Sequence, residues 1–164
     1  MSTKSFTINL PIITGDQDRR RLRKSFSFGC NLQNAVMGGG WDRVLQMRAT
    51  AEWQATRAMP KGRERTKAFR DLRVRFRLSE YDFHADVAMH RKASGRGHLL
   101  GINECQKLAS RAWISVERHL YNGGSPRFIS SRRGLHSIEG KTNRTGIIWK
   151  ADQQCVTVCK HVYR

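Results

Sequence analysis

From Ile102 to Leu120 the apolar residues fall at three- and four-residue spacing: Ile102, Cys105, Leu108, Ala109, Ala112, Trp113, Val116 and Leu120. That period belongs to an amphipathic helix with one buried stripe, and it is the clearest element in the chain. Asn103, with Gln106 three residues on, is placed to cap its start. Gly123-Gly124 marks its end, because glycine accepts the left-handed conformation that closes helices. Only 38% of the 164 residues are hydrophobic, below the roughly 45–50% of an average soluble domain. The core is therefore modest, and Trp and Phe must help to fill it. The length suits about one domain.

Four further helices are expected upstream. One spans Gln17–Met37, with Leu22, Phe26, Cys30 and Val36 near one face, and Gly38-Gly39-Gly40 is expected to break it. The others cover Trp41–Ala58, Arg63–Arg77 and Ser79–Arg91, followed by a loop at Ser94–Gly97. Before this block, Phe6, Ile8 and Leu10 alternate with Thr7 and Asn9, the period of a half-buried strand over Lys4–Ile13. After it, Gly146–Trp149 and Cys155–Cys159 read as short strands. The expected class is α+β, in three parts: 1–13, a helical block over 14–122, and 123–164. A helical insertion into a small β unit fits that order, and so does an unrelated α+β fold.

The formal net charge is +18. Such an excess calls for a polyanionic partner, since phosphates neutralised by Arg and Lys release counterions and favour binding. No run approaches the roughly 20 apolar residues of a membrane span. The first residues lack a basic segment followed by an apolar one, so no signal peptide is expected. Cys30, Cys105, Cys155 and Cys159 then read as thiols of a cytoplasmic chain.

The densest charge lies between Arg57 and Arg77, with nine basic and two acidic residues. On a continuous helix, Phe69, Leu72 and Phe76 share one face. Arg63, Lys67, Arg70, Arg73 and Arg77 occupy the adjoining arc of roughly 120°. Such a stripe can follow a phosphate backbone; a solvated helix face is the plainer alternative. A second cluster, Arg127, Arg132 and Arg133 beside Phe128, lies in a Gly- and Ser-rich stretch. Arg grips phosphate bidentately and Phe stacks on a base, although Phe128 also suits a core position at a strand start.

Glu80, Asp82 and Asp86 are the one carboxylate cluster. They suggest either a magnesium-dependent nuclease or a charge network closed by Arg77 and Arg91. Cys155, Cys159 and His161 are too few and too poorly spaced for a structural zinc site. No Walker loop or nucleophile–base arrangement occurs. No catalytic residue, metal ligand, cofactor or small-molecule ligand is expected. The expected partners are RNA and DNA, with no membrane.

Several motifs stand in one register. They are Asn34-Ala35, Met47, Trp53, Ala58-Met59-Pro60-Lys61-Gly62, Glu80-Tyr81-Asp82-Phe83-His84-Ala85 and Gln106 to Ala112. Pro126-Arg127-Phe128, Ser137-Ile138-Glu139-Gly140-Lys141-Thr142-Asn143, Thr145-Gly146-Ile147 and Trp149 follow. Together they resemble the N-terminal half of the OrfB/TnpB family of insertion-sequence transposases, RNA-guided endonucleases related to type V CRISPR effectors. The resemblance implies an OB-like wedge interrupted by a helical recognition lobe. Lys4–Ile13 would be the first wedge strand, 14–122 the lobe, and 123–164 an incomplete return to the wedge. It implies that these parts hold guide RNA and the RNA–DNA heteroduplex, with Lys141 and Asn143 among the contacts. The family's nuclease domain and zinc finger would follow, so a truncated binding fragment without cutting chemistry is expected. A stand-alone basic RNA-binding protein needs the same surface.

Overall fold

The computed structural model describes residues 11–142, 144–158 and 161–163. Its class is α+β. Five helices come first: α1 (Asp16–Arg48), α2 (Ala51–Ala58), α3 (Arg63–Arg75), α4 (Glu80–Ala93) and α5 (Ile102–Glu117). Three strands follow: β1 (Ile147–Lys150), β2 (Cys155–Val158) and β3 (His161–Tyr163). They pair antiparallel in the order β1-β2-β3, with Trp149 opposite Val156 and Val156 opposite Tyr163. Among the described residues this is an open sheet and no barrel closes. The strand expected over Lys4–Ile13 lies outside the described residues as far as Leu10, and residues 11–13 are irregular.

The core forms where α1 and α4 pack against α5. From α5 and the turn after it, Cys105, Leu108, Ala109, Ala112, Trp113, Val116 and Leu120 are all buried, as their spacing predicts; Ile102 is exposed. Val36, Val44 and Met47 of α1 and Phe83 and Val87 of α4 close over them. Each such side chain contributes about 1.5–3 kcal/mol on burial. α5 opens on Gly101 rather than Asn103, and its last residue is Glu117, well before the glycine pair. The end is closed by tight i→i+3 bonds, His119 N–H to Val116 O and Leu120 N–H to Glu117 O, both at 3.0 Å. Beyond it the Arg48 guanidinium holds the turn, donating to the carbonyls of His119, Leu120 and Asn122.

The three glycines do not break α1. A Cβ on Gly40 would lie 2.1 Å from Phe83 Cζ, so the missing side chain is what lets the Phe83 ring reach the α1 backbone. Burial of that ring outweighs the roughly 1 kcal/mol helix penalty of a glycine. The break expected near Gly38 falls at Ala49-Thr50, where Thr50 Oγ1 accepts from the Trp53 amide at 3.2 Å and caps α2.

α3 stops at Arg75, short of the expected Arg77. Leu78 N–H donates to Arg73 O at 2.9 Å and Arg77 N–H to Val74 O at 3.1 Å, the double bond of a Schellman ending. Arg77 occupies the left-handed position with φ 52°, normally a glycine site. Leu78 is fully buried beyond it. Ser79 then caps α4 through its hydroxyl, which accepts from the Asp82 amide.

Candidate nucleic-acid interface

The basic run of α3 divides by position. Arg63, Lys67 and Arg70 are exposed and line a shallow depression with Glu64 and Thr66. Among the described residues, the acid they pair with is Asp71, 3.7 Å from Arg70. Arg73 is half-committed inward: Nε donates to Leu78 O at 3.3 Å, a terminal nitrogen lies 3.5 Å from Glu117, and the guanidinium sits 5.2 Å above Trp113. Arg77 has left the helical face altogether and pairs with Asp82 and Asp86. The expected five-residue stripe is therefore three open cations, one shared and one withdrawn.

Beside the open cations lies a groove of about 450 Å³. Its floor is aromatic. Trp53 and Tyr121 stack at 6.0 Å and 12°, and Phe69 meets both edge-on at 5.2 Å. Trp53 is buried, while Tyr121 is 45% exposed and lines the groove. Arg57, Arg65, Arg70 and Arg73 line the walls. Arg65 lies 5.4 Å over Phe69, and its buried Nε has no acceptor. Cationic walls around a partly exposed aromatic side chain suit a stacked base and its phosphates. Tyr121, Arg57 and Arg65 were not singled out from sequence. Arg57 and Arg65 belong to the charge run, but a helical wheel of α3 alone does not bring Arg57 from α2 or Tyr121 from beyond α5.

The second cluster forms a concavity of about 740 Å³ within the irregular segment after α5. Phe128, Arg132 and Arg133 line it with Gln33, Arg111 and His136; Arg127 does not. Phe128 is 52% exposed, neither core nor strand, with its ring edge close to Gly38. Gln33 Oε1 is buried there without a partner. The segment is held at two points. Asn34 exchanges hydrogen bonds with Ile129, donating at 2.8 Å and accepting at 3.0 Å. Arg111 donates to the Ser137 carbonyl at 2.8 Å and to the Glu139 carboxylate. That contact holds the Glu139 carboxyl below its ordinary range, with nearby Lys107 adding to the effect. Lys141 lies apart from the concavity, 3.4 Å from Gln106. Asn143 lies outside the described residues.

Each residue of the acidic cluster has its own neighbours. Asp86 is buried and accepts from Arg43 at 2.6 Å and from Arg77 at 3.3 Å. Asp82 pairs with Ser79 and Arg77. Glu80 accepts from Ser110 and lies 3.7 Å from His84. Arg91, expected to neutralise these acids, instead donates to Leu100 O and Gly97 O. Arg43 takes its place because α1 continues past the glycines and carries Arg43 to α4. Among the described residues, no group of three or more His, Cys, Asp or Glu could hold a metal ion. Cys159 is outside them; Cys30, Cys105 and Cys155 are buried thiols, and burial pushes the Cys30 pKa up.

No family model, no curated protein and no solved structure matches this chain. No helix among the described residues is long and apolar enough to cross a membrane.

Proposed function

We propose that the protein binds single-stranded nucleic acid, RNA foremost, along the α2–α3 groove, with the Phe128–His136 concavity as a second contact. The observation that carries this is the partly exposed Tyr121 side chain in a groove walled by Arg57, Arg65, Arg70 and Arg73. A net charge of +18 supplies the long-range attraction. A solvated basic surface would need no aromatic floor.

The finer reading is that of the guide-holding half of an RNA-guided endonuclease of the OrfB/TnpB kind, acting by binding and leaving cutting to a separate nuclease domain. An OB-like wedge around a recognition lobe is part of it. It draws support from the way the resembling motifs meet: Glu80 and His84 with Ser110, Arg111 with Ser137 and Glu139, and Gln106 with Lys141. Purified protein should carry RNA that high salt releases, and should retard single-stranded RNA at low salt. Protein that elutes without RNA and retards no strand contradicts the proposal. Cleavage that requires Mg²⁺ and is lost in Asp82→Ala would favour the metal-dependent nuclease instead.

A further inference from the structure

Five of the six residues from Arg19 to Lys24, in the first turns of α1, are cationic. Arg20, Arg21 and Lys24 fall within about 100° of one another on that helix, and all three line a cleft of about 570 Å³. His98, from the turn before α5, and His161 of β3 line it from two other elements. Ser25 Oγ donates to Leu99 O at 2.8 Å and fixes the His98 turn against α1. Arg20, Lys24 and His98 are exposed, and Arg21 and His161 are half-buried. Among the described residues, no Asp or Glu lines the cleft. The ion pair its cations make there is Arg21 with Asp18, at 3.7 Å.

We infer that this cleft holds the phosphates of a nucleic-acid strand without reading its bases, as a further contact set one helix length from the α2–α3 groove. Guanidinium and ammonium groups bind phosphate oxygens with charge assistance, and each imidazole adds an N–H donor. Tyr163, the one tyrosine in the lining, is 4% exposed, so the cleft has no counterpart of Tyr121 for a base to stack on. Lys24 and Arg48 lie on one continuous helix, about 36 Å apart at 1.5 Å per residue. Arg48 in turn donates to Asn122 O, next to Tyr121 of the groove. A strand with the 3.4 Å spacing of stacked nucleotides needs about eleven of them to cover that length. The inference rests on the nucleic-acid reading for the identity of the partner; the contact itself needs only phosphates.

The test measures affinity of the full chain, by fluorescence anisotropy at low salt, for tetrauridine and for tetrauridine extended at either end. One extension is about twelve uridines and the other about twelve abasic ribose phosphates. Both extensions should raise affinity at least about tenfold, because the second contact becomes intramolecular. Arg20→Gln with Lys24→Gln should weaken both extended probes at least about fivefold, make their salt slope shallower by about 1.4, and leave tetrauridine unchanged. Lys92→Gln with Lys150→Gln removes the same charge from exposed residues outside the cleft and should leave the extended probes within about twofold of the parent. A gain from uridines with none from the abasic tract means that bases are read, and overturns the inference. Equal weakening by the two double variants, or no weakening by either, overturns it as well. Tetrauridine binding alongside any of these results removes the cleft and leaves the groove reading intact. An abasic tract that the parent binds and the Arg20→Gln, Lys24→Gln chain releases, with no tetrauridine binding, removes the groove and leaves the cleft.

Discussion

Asn34 and Ile129, 95 residues apart, are joined by a two-way hydrogen bond in which the Asn34 amide occupies the place of a pairing strand. This clamp fixes the start of the Phe128–His136 concavity on α1. Asn34→Ala should leave both Ile129 backbone groups without their partner and cost about 1–3 kcal/mol. Limited proteolysis should then cut within residues 123–137 faster than in the parent, with the helical core intact by circular dichroism. Unchanged cleavage would mean the clamp holds nothing.

The glycine run of α1 gives two substitutions of opposite sign. Gly40→Ala drives a methyl into the Phe83 ring and should destabilise by about 1–3 kcal/mol through overpacking. Gly39→Ala meets nothing within 4 Å and should stabilise by about 0.5–1 kcal/mol through helix propensity. Thermal melts of both variants check the pair together. A break at the glycines, as their composition alone suggests, would make both changes nearly neutral.

The glycine run also shows why part of the fold was legible in the sequence and part was not. The α5 stripe was readable because each buried residue recurs within one helix. The fate of Gly40 depends on Phe83, 43 positions later, and no local pattern reveals it. Arg77 was misplaced for a related reason: its wheel position assumed that α3 continued, whereas a left-handed residue ends the helix and turns the side chain toward Asp82 and Asp86. The groove was half visible. Its cations lie in one charge run, but Tyr121 reaches the stack from beyond the end of α5.

Asp86 should matter to stability rather than to chemistry. It is buried between Arg43 and Arg77, so Asp86→Ala leaves the part-buried Arg43 without its carboxylate, while Arg77 keeps Asp82, and should cost about 1–3 kcal/mol. Denaturant unfolding measures this directly. A variant of parent stability that had lost a Mg²⁺-dependent cleavage would instead assign Asp86 to a nuclease centre.

The Arg111–Glu139 contact sets a pH dependence. Arg111 lowers the Glu139 pKa from its ordinary 4.5. A carboxyl with a depressed folded-state pKa contributes stability that is present above the unfolded value and lost as pH falls through the folded value. Attachment of the 137–141 segment to α5 should therefore be constant from neutral pH to about 5, and weaken below about 4.5. Amide exchange across 137–142 follows it. Glu139→Gln should flatten this response, and an unchanged acid limb in that variant would remove Glu139 as its cause.

The central claim is that an aromatic ring and its surrounding cations bind single-stranded RNA together, and a salt titration of RNA affinity separates the two contributions. For parent protein, log affinity should fall linearly with log salt, at about −0.7 per phosphate neutralised. Tyr121→Ala should lose about 1–3 kcal/mol of binding with the slope unchanged, as a stacking loss does. Arg57→Gln with Arg70→Gln should make the slope shallower by about 1.4, the loss of two phosphate contacts. Binding that ignores salt, or a Tyr121→Ala protein that binds RNA as tightly as the parent, would contradict the account.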